Sequence, residues 1–215
     1  MTVKENSGLR SRQKAKRRAA ILSAARLLFE RQGYDSTSME QIADGAEVGV
    51  ATVYNYFGTK GGLLSELLRP IFESFFERGN ALIAAPGGDP VAGVDALLSI
   101  YLELVDAWES PGILTAFPGP GMSAEPVLDD LTREAETMAR RQLETLLRGY
   151  QDRGLLMACM RADDAAFVLF ATFNQHYLDA VVGKEAPGFD DERRSMLARQ
   201  LGMVVGAFTS PAQAR

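Results

Sequence analysis

Apolar residues in this chain recur at helical spacing, segment after segment, and no stretch of any length alternates as a strand does. That property confines the fold to helices packed on helices. In "RAAILSAARLLFERQG", Ile21, Ala24, Ala25, Leu28 and Phe29 fall at i, i+3, i+4, i+7 and i+8, and Gly33 marks the stop. "TSME" then reads as a capping box, with Thr37 as N-cap and Glu40 three places on. It opens a short helix to about Ala46 that turns Met39, Ile42 and Ala43 inward. After the turn "EVG", a third helix runs from about Val50 to Phe57 and is stopped by Gly58. Thr59 caps a fourth, "KGGLLSELLRPIFESFFERGNALIAA", which Pro70 bends or divides.

"PGGDP" at 86–90 is a break. Residues 91–109 read as an amphipathic helix with Val94, Leu97, Leu98, Tyr101, Val105 and Trp108 on one side. The stretch 109–126 holds four prolines and three glycines, so it reads as loop and short helical pieces. A long helix over about 126–152 ends at Gly154, and two more follow at about 163–182 and 190–208. The expected fold is all-α, with about nine helices, no sheet and no internal repeat.

At 215 residues, 47% apolar and 24% charged, the chain suits one large or two small globular domains. No run of 18 apolar residues exists, so no membrane partner is expected. The basic N-terminus lacks an apolar stretch behind it, so export is not expected. The single cysteine, Cys159, rules out an intrachain disulfide and fits a reducing cytoplasm.

Charge divides the chain. Residues 1–60 hold ten Lys/Arg and six Asp/Glu, net +4, whereas residues 61–215 hold 13 and 22, net −9. The pattern implies a head at 1–60, with a basic arm, that faces nucleic acid, and an acidic body at 61–215 that cannot lie along phosphates. Arg10, Arg12, Lys14, Lys16, Arg17 and Arg18 form an acid-free run leading into the first helix, and Arg17 is a candidate phosphate contact.

The helices at 38–46 and 50–57, joined by a short turn, have helix-turn-helix proportions. The second helix of that motif presents its N-terminal residues to base edges in the major groove. Here Val53 and Phe57 would pack inward with Val48, Ile42 and Phe29, leaving Val50, Ala51, Tyr54 and Asn55 outward. Small residues at 50 and 51 allow close approach to bases, and Asn55 offers the amide that pairs with adenine. Thr52, Tyr54 and Tyr56 offer hydroxyls, and Lys60 a charge, to phosphates.

"TSMEQIADGAEVGVATVYNYFGTKGGLL" resembles the DNA-binding signature of the TetR (tetracycline-repressor) family, over about Ala19 to Leu64. The resemblance implies that Thr37 and Ser38 lie at the DNA backbone and Val50 and Ala51 near base edges. Thr52, Tyr54, Tyr56 and Lys60 would touch phosphates. It also implies a three-helix DNA-binding domain ahead of a helical ligand-binding and dimerisation domain. Such regulators are homodimers, usually repressors, released from double-stranded operator DNA by a small-molecule effector. Two features depart from the pattern. Glu47 stands where the turn usually has glycine and must take a backbone conformation that glycine tolerates, and Gly49 replaces the usual serine cap. Gly61 and Gly62 follow Lys60 where an acid is common, which is expected to soften the start of the fourth helix.

In the body, "AAFVLFATFNQHYLDAVV" is apolar nearly all round, so both its faces must be covered, one by core or pocket and one by a partner. The last helix carries Leu197, Leu201, Val204, Val205 and Phe208, with Gly202 and Gly206 four apart. These two helices are the expected homodimer interface, as the resemblance implies. Candidate ligand-lining residues are Tyr101, Trp108, Phe117, Met122, Met138, Phe173, His176 and Tyr177, each of which is also ordinary core by type. They suit a small apolar or aromatic effector.

Catalysis is not expected. One histidine and one cysteine, 17 residues apart with a loop between, make a poor nucleophile pair and no zinc site. No glycine-rich phosphate loop occurs, and no metal or cofactor is expected. The alternative to a regulator is a ligand- or partner-binding helical dimer that has lost specific DNA binding, an idea that rests on Glu47.

Overall fold

The computed structural model describes residues 2–106, 125–182 and 190–210, with side chains from residue 8 and omitting those of 104–106 and 181–182. These residues form eight helices. They are α1 (Thr2–Gln32), α2 (Met39–Gly45), α3 (Val50–Phe57), α4 (Lys60–Ala84), α5 (Pro90–Asp106), α6 (Pro126–Asp152), α7 (Ala162–Val182) and α8 (Asp191–Gly206). Among the described residues the sole β-type pairing is one bridge, Leu156 to Thr209, which clips the loop after α6 to the turn after α8.

The helices begin and end for local reasons. The capping box of α2 uses Ser38 and Gln41, one residue along from the expected Thr37 and Glu40. Thr37 is buried and its hydroxyl donates to the Gly33 carbonyl at 2.7 Å, so the extended Ser38 is left to cap. Thr59 caps α4 by accepting from the Gly62 amide at 3.0 Å. Gly58 and Gly154, both with positive φ, close α3 and α6. The basic run is no flexible arm. It lies within α1, beyond that helix's first two turns, since Arg, Lys, Gln and Ala are strong helix formers. Helix α4 is continuous through Pro70 rather than divided there.

Helices α1 to α3 close around Ile21, Ala25, Phe29, Ile42 and Val53, all essentially inaccessible, and the first turns of α4 complete this core with Leu63 and Leu64. Beyond them α4 enters the body and packs against α5 and α6, while α7 lies against α6, and α8 against α5 and α7. Helix α4 is therefore shared between head and body.

Among the described residues, Gln142 forms a buried polar hub in the body core. Gln142 of α6 donates to the Phe76 carbonyl at 2.9 Å and to Asn80 Oδ1 at 2.8 Å, and accepts from the Tyr101 hydroxyl. It ties α4, α5 and α6 together.

Candidate DNA-reading face and ligand cleft

The turn between α2 and α3 fixes how α3 is presented. Ala46 ends α2, and the Val48 amide reaches back to the Ala43 carbonyl at 3.0 Å, while the Glu47 amide bonds Asp44 at 3.1 Å. This is the glycine-type helix stop, yet the residue in the left-handed region is Glu47, with φ 55°. It is the one non-glycine residue with positive φ among those described. The side chain expected to tolerate a glycine conformation does adopt it.

Helix α3 then turns Val53 fully inward and Phe57 partly so, against the head core. Val50, Ala51, Tyr54 and Asn55 lie outward, with Tyr54 48% exposed. An exposed valine and tyrosine on adjacent turns serve no packing in the head, so this face is available to a partner. Thr52, Tyr56 and Ser38 are half-buried. Arg10, Lys14 and Arg17 are exposed on α1 at i, i+4 and i+7, on one side of the helix. Tyr56 donates its hydroxyl to the Lys14 carbonyl at 3.2 Å, which ties α3 to this basic stretch.

Two expected phosphate contacts are placed differently. Thr37 is only 2% exposed, so its side chain faces the head interior. Lys60 donates to the carbonyls of Tyr34 at 2.8 Å and Thr37 at 2.9 Å, with its ammonium over the Tyr34 ring. Two of its three N–H groups are thereby spent on the turn between α1 and α2. Arg18, in the same basic run as Arg17, pairs at the surface with Glu66 of α4 and lies over Phe57.

The start of α4 is also a junction. The Glu125 carboxylate, directly ahead of α6, accepts from the Tyr34 hydroxyl at 3.1 Å, the Thr59 hydroxyl at 2.9 Å and the Gly61 amide at 3.2 Å. A β-carbon at Gly61 would come within 2.7 Å of that carboxylate, and one at Gly62 within 2.2 Å of the Phe57 carbonyl. The glycine pair is thus a close-approach site rather than a soft helix start. Burial, then the charge of Glu125, push the Tyr34 hydroxyl well above the usual phenol range.

In the body a cleft of about 60 Å³ opens between α4, α5, α6 and α7. Phe72 and Phe75 come from α4, Tyr101 from α5, and Phe170, Phe173 and Tyr177 from α7, while Thr132, Ala135, Glu136 and Ala139 of α6 and Asn174 of α7 complete it. Three of the expected lining residues, Tyr101, Phe173 and Tyr177, are brought together here. Met138 lies apart, in a hollow beside Asn80 and Arg141. His176 faces α8, its Nε2 2.9 Å from Gln200 Oε1, so it joins two helices instead of lining the cleft. Trp108, Phe117 and Met122 lie outside the described residues. Phe72, Phe75, Glu136 and Phe170 were missed. The paired small residues Ala135 and Ala139, one turn apart beside Glu136, were the signal that α6 leaves room there.

A family model described as "Bacterial regulatory proteins, tetR family" matches residues 21–67, which span α1 from Ile21, the turn held by Glu47, α3 and the junction at Gly61. Over these residues the chain is similar to the TetR family. The chain is 31% identical over 97 residues to the HTH-type transcriptional repressor KstR2 of Rhodococcus jostii, a match covering 45% of the chain and 47% of KstR2. The chain thus spans about half the length of that relative. It is 29% identical over 185 residues to the HTH-type transcriptional regulator RutR of Escherichia coli K12, covering 85% of the chain and 83% of RutR. Among solved structures, the complex of SmeT with triclosan, from Stenotrophomonas maltophilia, is similar with a TM-score of 0.69 at 25% identity, covering 91% of this chain and 92% of that one.

Proposed function

We propose that this chain is a TetR-family DNA-binding transcriptional regulator, a repressor released from operator DNA by a small, largely apolar or aromatic effector. The observation that carries the reading is the outward face of α3, where Val50, Ala51, Tyr54 and Asn55 stand clear of a core that Val53 already satisfies. Residues 1–60 form the reading head and residues 61–215 the sensing and dimerising body. The chain works by binding rather than catalysis, in the cytoplasm where its DNA lies.

Dimerisation supplies two heads for two half-sites. Its surface is α7 and α8, where Phe167, Val168 and Met203 are 60%, 46% and 75% exposed, on the side away from the buried Phe173 and Leu201. The cleft is the effector site. Helix α4 runs from the cleft residues Phe72 and Phe75 back to Gly61, and α6 runs from Glu136 back to Glu125. A ligand that parts α4 from α6 in the cleft therefore acts on the contact between Glu125 and Gly61, and through it on the head. The two recognition helices then lose the spacing of about one DNA turn that an operator requires.

The test is fluorescence anisotropy of the protein on duplex DNA flanking its own gene, against a scrambled duplex, over a salt series. Specific binding that tightens as salt falls is the expected result. Equally weak binding to both duplexes there, and to fragments selected from the whole genome, points instead to a dimer whose head no longer reads DNA.

A further inference from the structure

Resting on the body as the sensor, we propose that the cleft selects a cation. Its ligand is a protonated amine on an apolar or aromatic frame, with Glu136 as counter-ion and the surrounding rings as a cage.

Six aromatic rings line the cleft, and Glu136 is the one charged side chain among its described lining residues. The rings form a continuous wall. Phe75 meets Tyr101 edge-on at 6.3 Å, Tyr101 meets Phe173 edge-on at 6.4 Å, and Phe173 stacks on Tyr177 at 6.4 Å. Ring faces present negative charge density to a cation and gain little from an anion. Glu136 is half-buried here, and burial pushes its carboxyl above the usual range against the pull of Arg140 and Arg133 on the same helix. Neither arginine lines the cleft. Arg140, whose Nε has no hydrogen-bond partner among the described residues, lines a separate hollow with Thr137, Glu144 and Asp163.

A second, independent observation is the Tyr177 hydroxyl. It is buried in the cleft wall and has no hydrogen-bond partner among the described residues. Most buried hydroxyls are satisfied, so this one marks a place where a polar group is missing. A wholly apolar ligand would finish the desolvation of Glu136 and seal the hydroxyl unpaired. An anion would meet Glu136 directly. A protonated amine answers the carboxylate and can donate to the Tyr177 hydroxyl oxygen, and its apolar frame lies against the rings. With about 60 Å³, the cleft has room for a few waters, and so takes a compact ammonium head.

Equilibrium dialysis of the full-length protein tests this with three probes of one size. These are 3-phenylpropylammonium, its uncharged carbon isostere butylbenzene, and 3-phenylpropionate. The cation should bind at least tenfold more tightly than the isostere, and phenylpropionate least well. E136Q should erase the preference for the cation while keeping affinity for the isostere, with an unchanged helical circular dichroism spectrum. Equal binding of cation and isostere, preference for the anion, no binding of any probe, or an unaltered preference in E136Q each overturns the assignment. Anisotropy on operator DNA with the cation present separates the two levels. A cation that binds through Glu136 without altering DNA affinity upholds the cleft assignment and removes the sensor reading.

Discussion

The carboxylate of Glu125 accepts a hydrogen bond from the amide of Gly61 at 3.2 Å, in a notch that any β-carbon at position 61 would occupy. The same carboxylate holds Tyr34 and Thr59, so one side chain at the start of α6 grips the turn after α1 and the first turn of α4. Gly61→Ala should push the carboxylate out, and Glu125→Ala should remove it. In both variants the change in DNA affinity on adding effector should shrink at least fivefold, with free-state secondary structure retained. Titration of operator DNA with and without effector gives the ratio. A ratio equal to wild type would mean that coupling passes elsewhere.

Lys60 and Tyr54 were expected to share a role at the phosphates, and their surroundings now separate them. Lys60→Ala removes the ammonium from two carbonyls of the turn after α1, of which that of Tyr34 keeps the Thr37 amide, and should cost about 1–3 kcal/mol of stability. Tyr54→Ala removes an exposed side chain and should leave the melting temperature nearly unchanged while weakening operator binding at least tenfold. Thermal melts beside anisotropy distinguish the two. Unchanged operator affinity in the Tyr54 variant would remove that residue from the reading face.

Glu47 holds a left-handed backbone conformation that costs a side-chain-bearing residue about 1 kcal/mol. Glu47→Gly should raise the melting temperature by about 2–4 °C for a chain of this size. It also removes an exposed negative charge from the turn leading into α3, so DNA affinity should rise, most of all at low salt. Calorimetry and a salt series check both effects.

Gln142 satisfies Tyr101, Asn80 and a backbone carbonyl at once inside the body. Gln142→Leu preserves volume but strands those groups, and should cost about 2–3 kcal/mol. Chemical denaturation provides the value, and a loss below about 0.5 kcal/mol would show that water replaces the amide.

Phe167→Arg and Met203→Arg place charge on the outward faces of α7 and α8 without disturbing the buried Phe173 or Leu201. Each should shift the protein from dimer to monomer in analytical ultracentrifugation. A dimer that survives both substitutions would put the interface elsewhere.

The head was legible in unusual detail because its signals are local. Inward Val53 and outward Tyr54 follow from one helical period, and the stop at Gly58 and the cap at Thr59 follow from single residues. Even there, the choice of Ser38 over Thr37 as cap was beyond the sequence, since both can cap and only the carbonyl of Gly33 decides which hydroxyl is occupied. The cleft was read in part. Aromatic residues on α5 and α7 were evident, but Met138 and His176 have the same composition signal and point elsewhere.

What the sequence determined by itself is the helix count to within what is described, the face each helix buries, the divided charge, and a head built to present α3. Periodicity, caps and charge act over a few residues, so they are written where they act. Tertiary structure decided the rest. Glu125 meets Gly61 across 64 residues, Tyr101 meets Gln142 across 41, and His176 meets Gln200 across 24. Such contacts depend on how buried helix faces pack against one another, and no local pattern marks which glutamate will lie in a junction and which in an aromatic cleft.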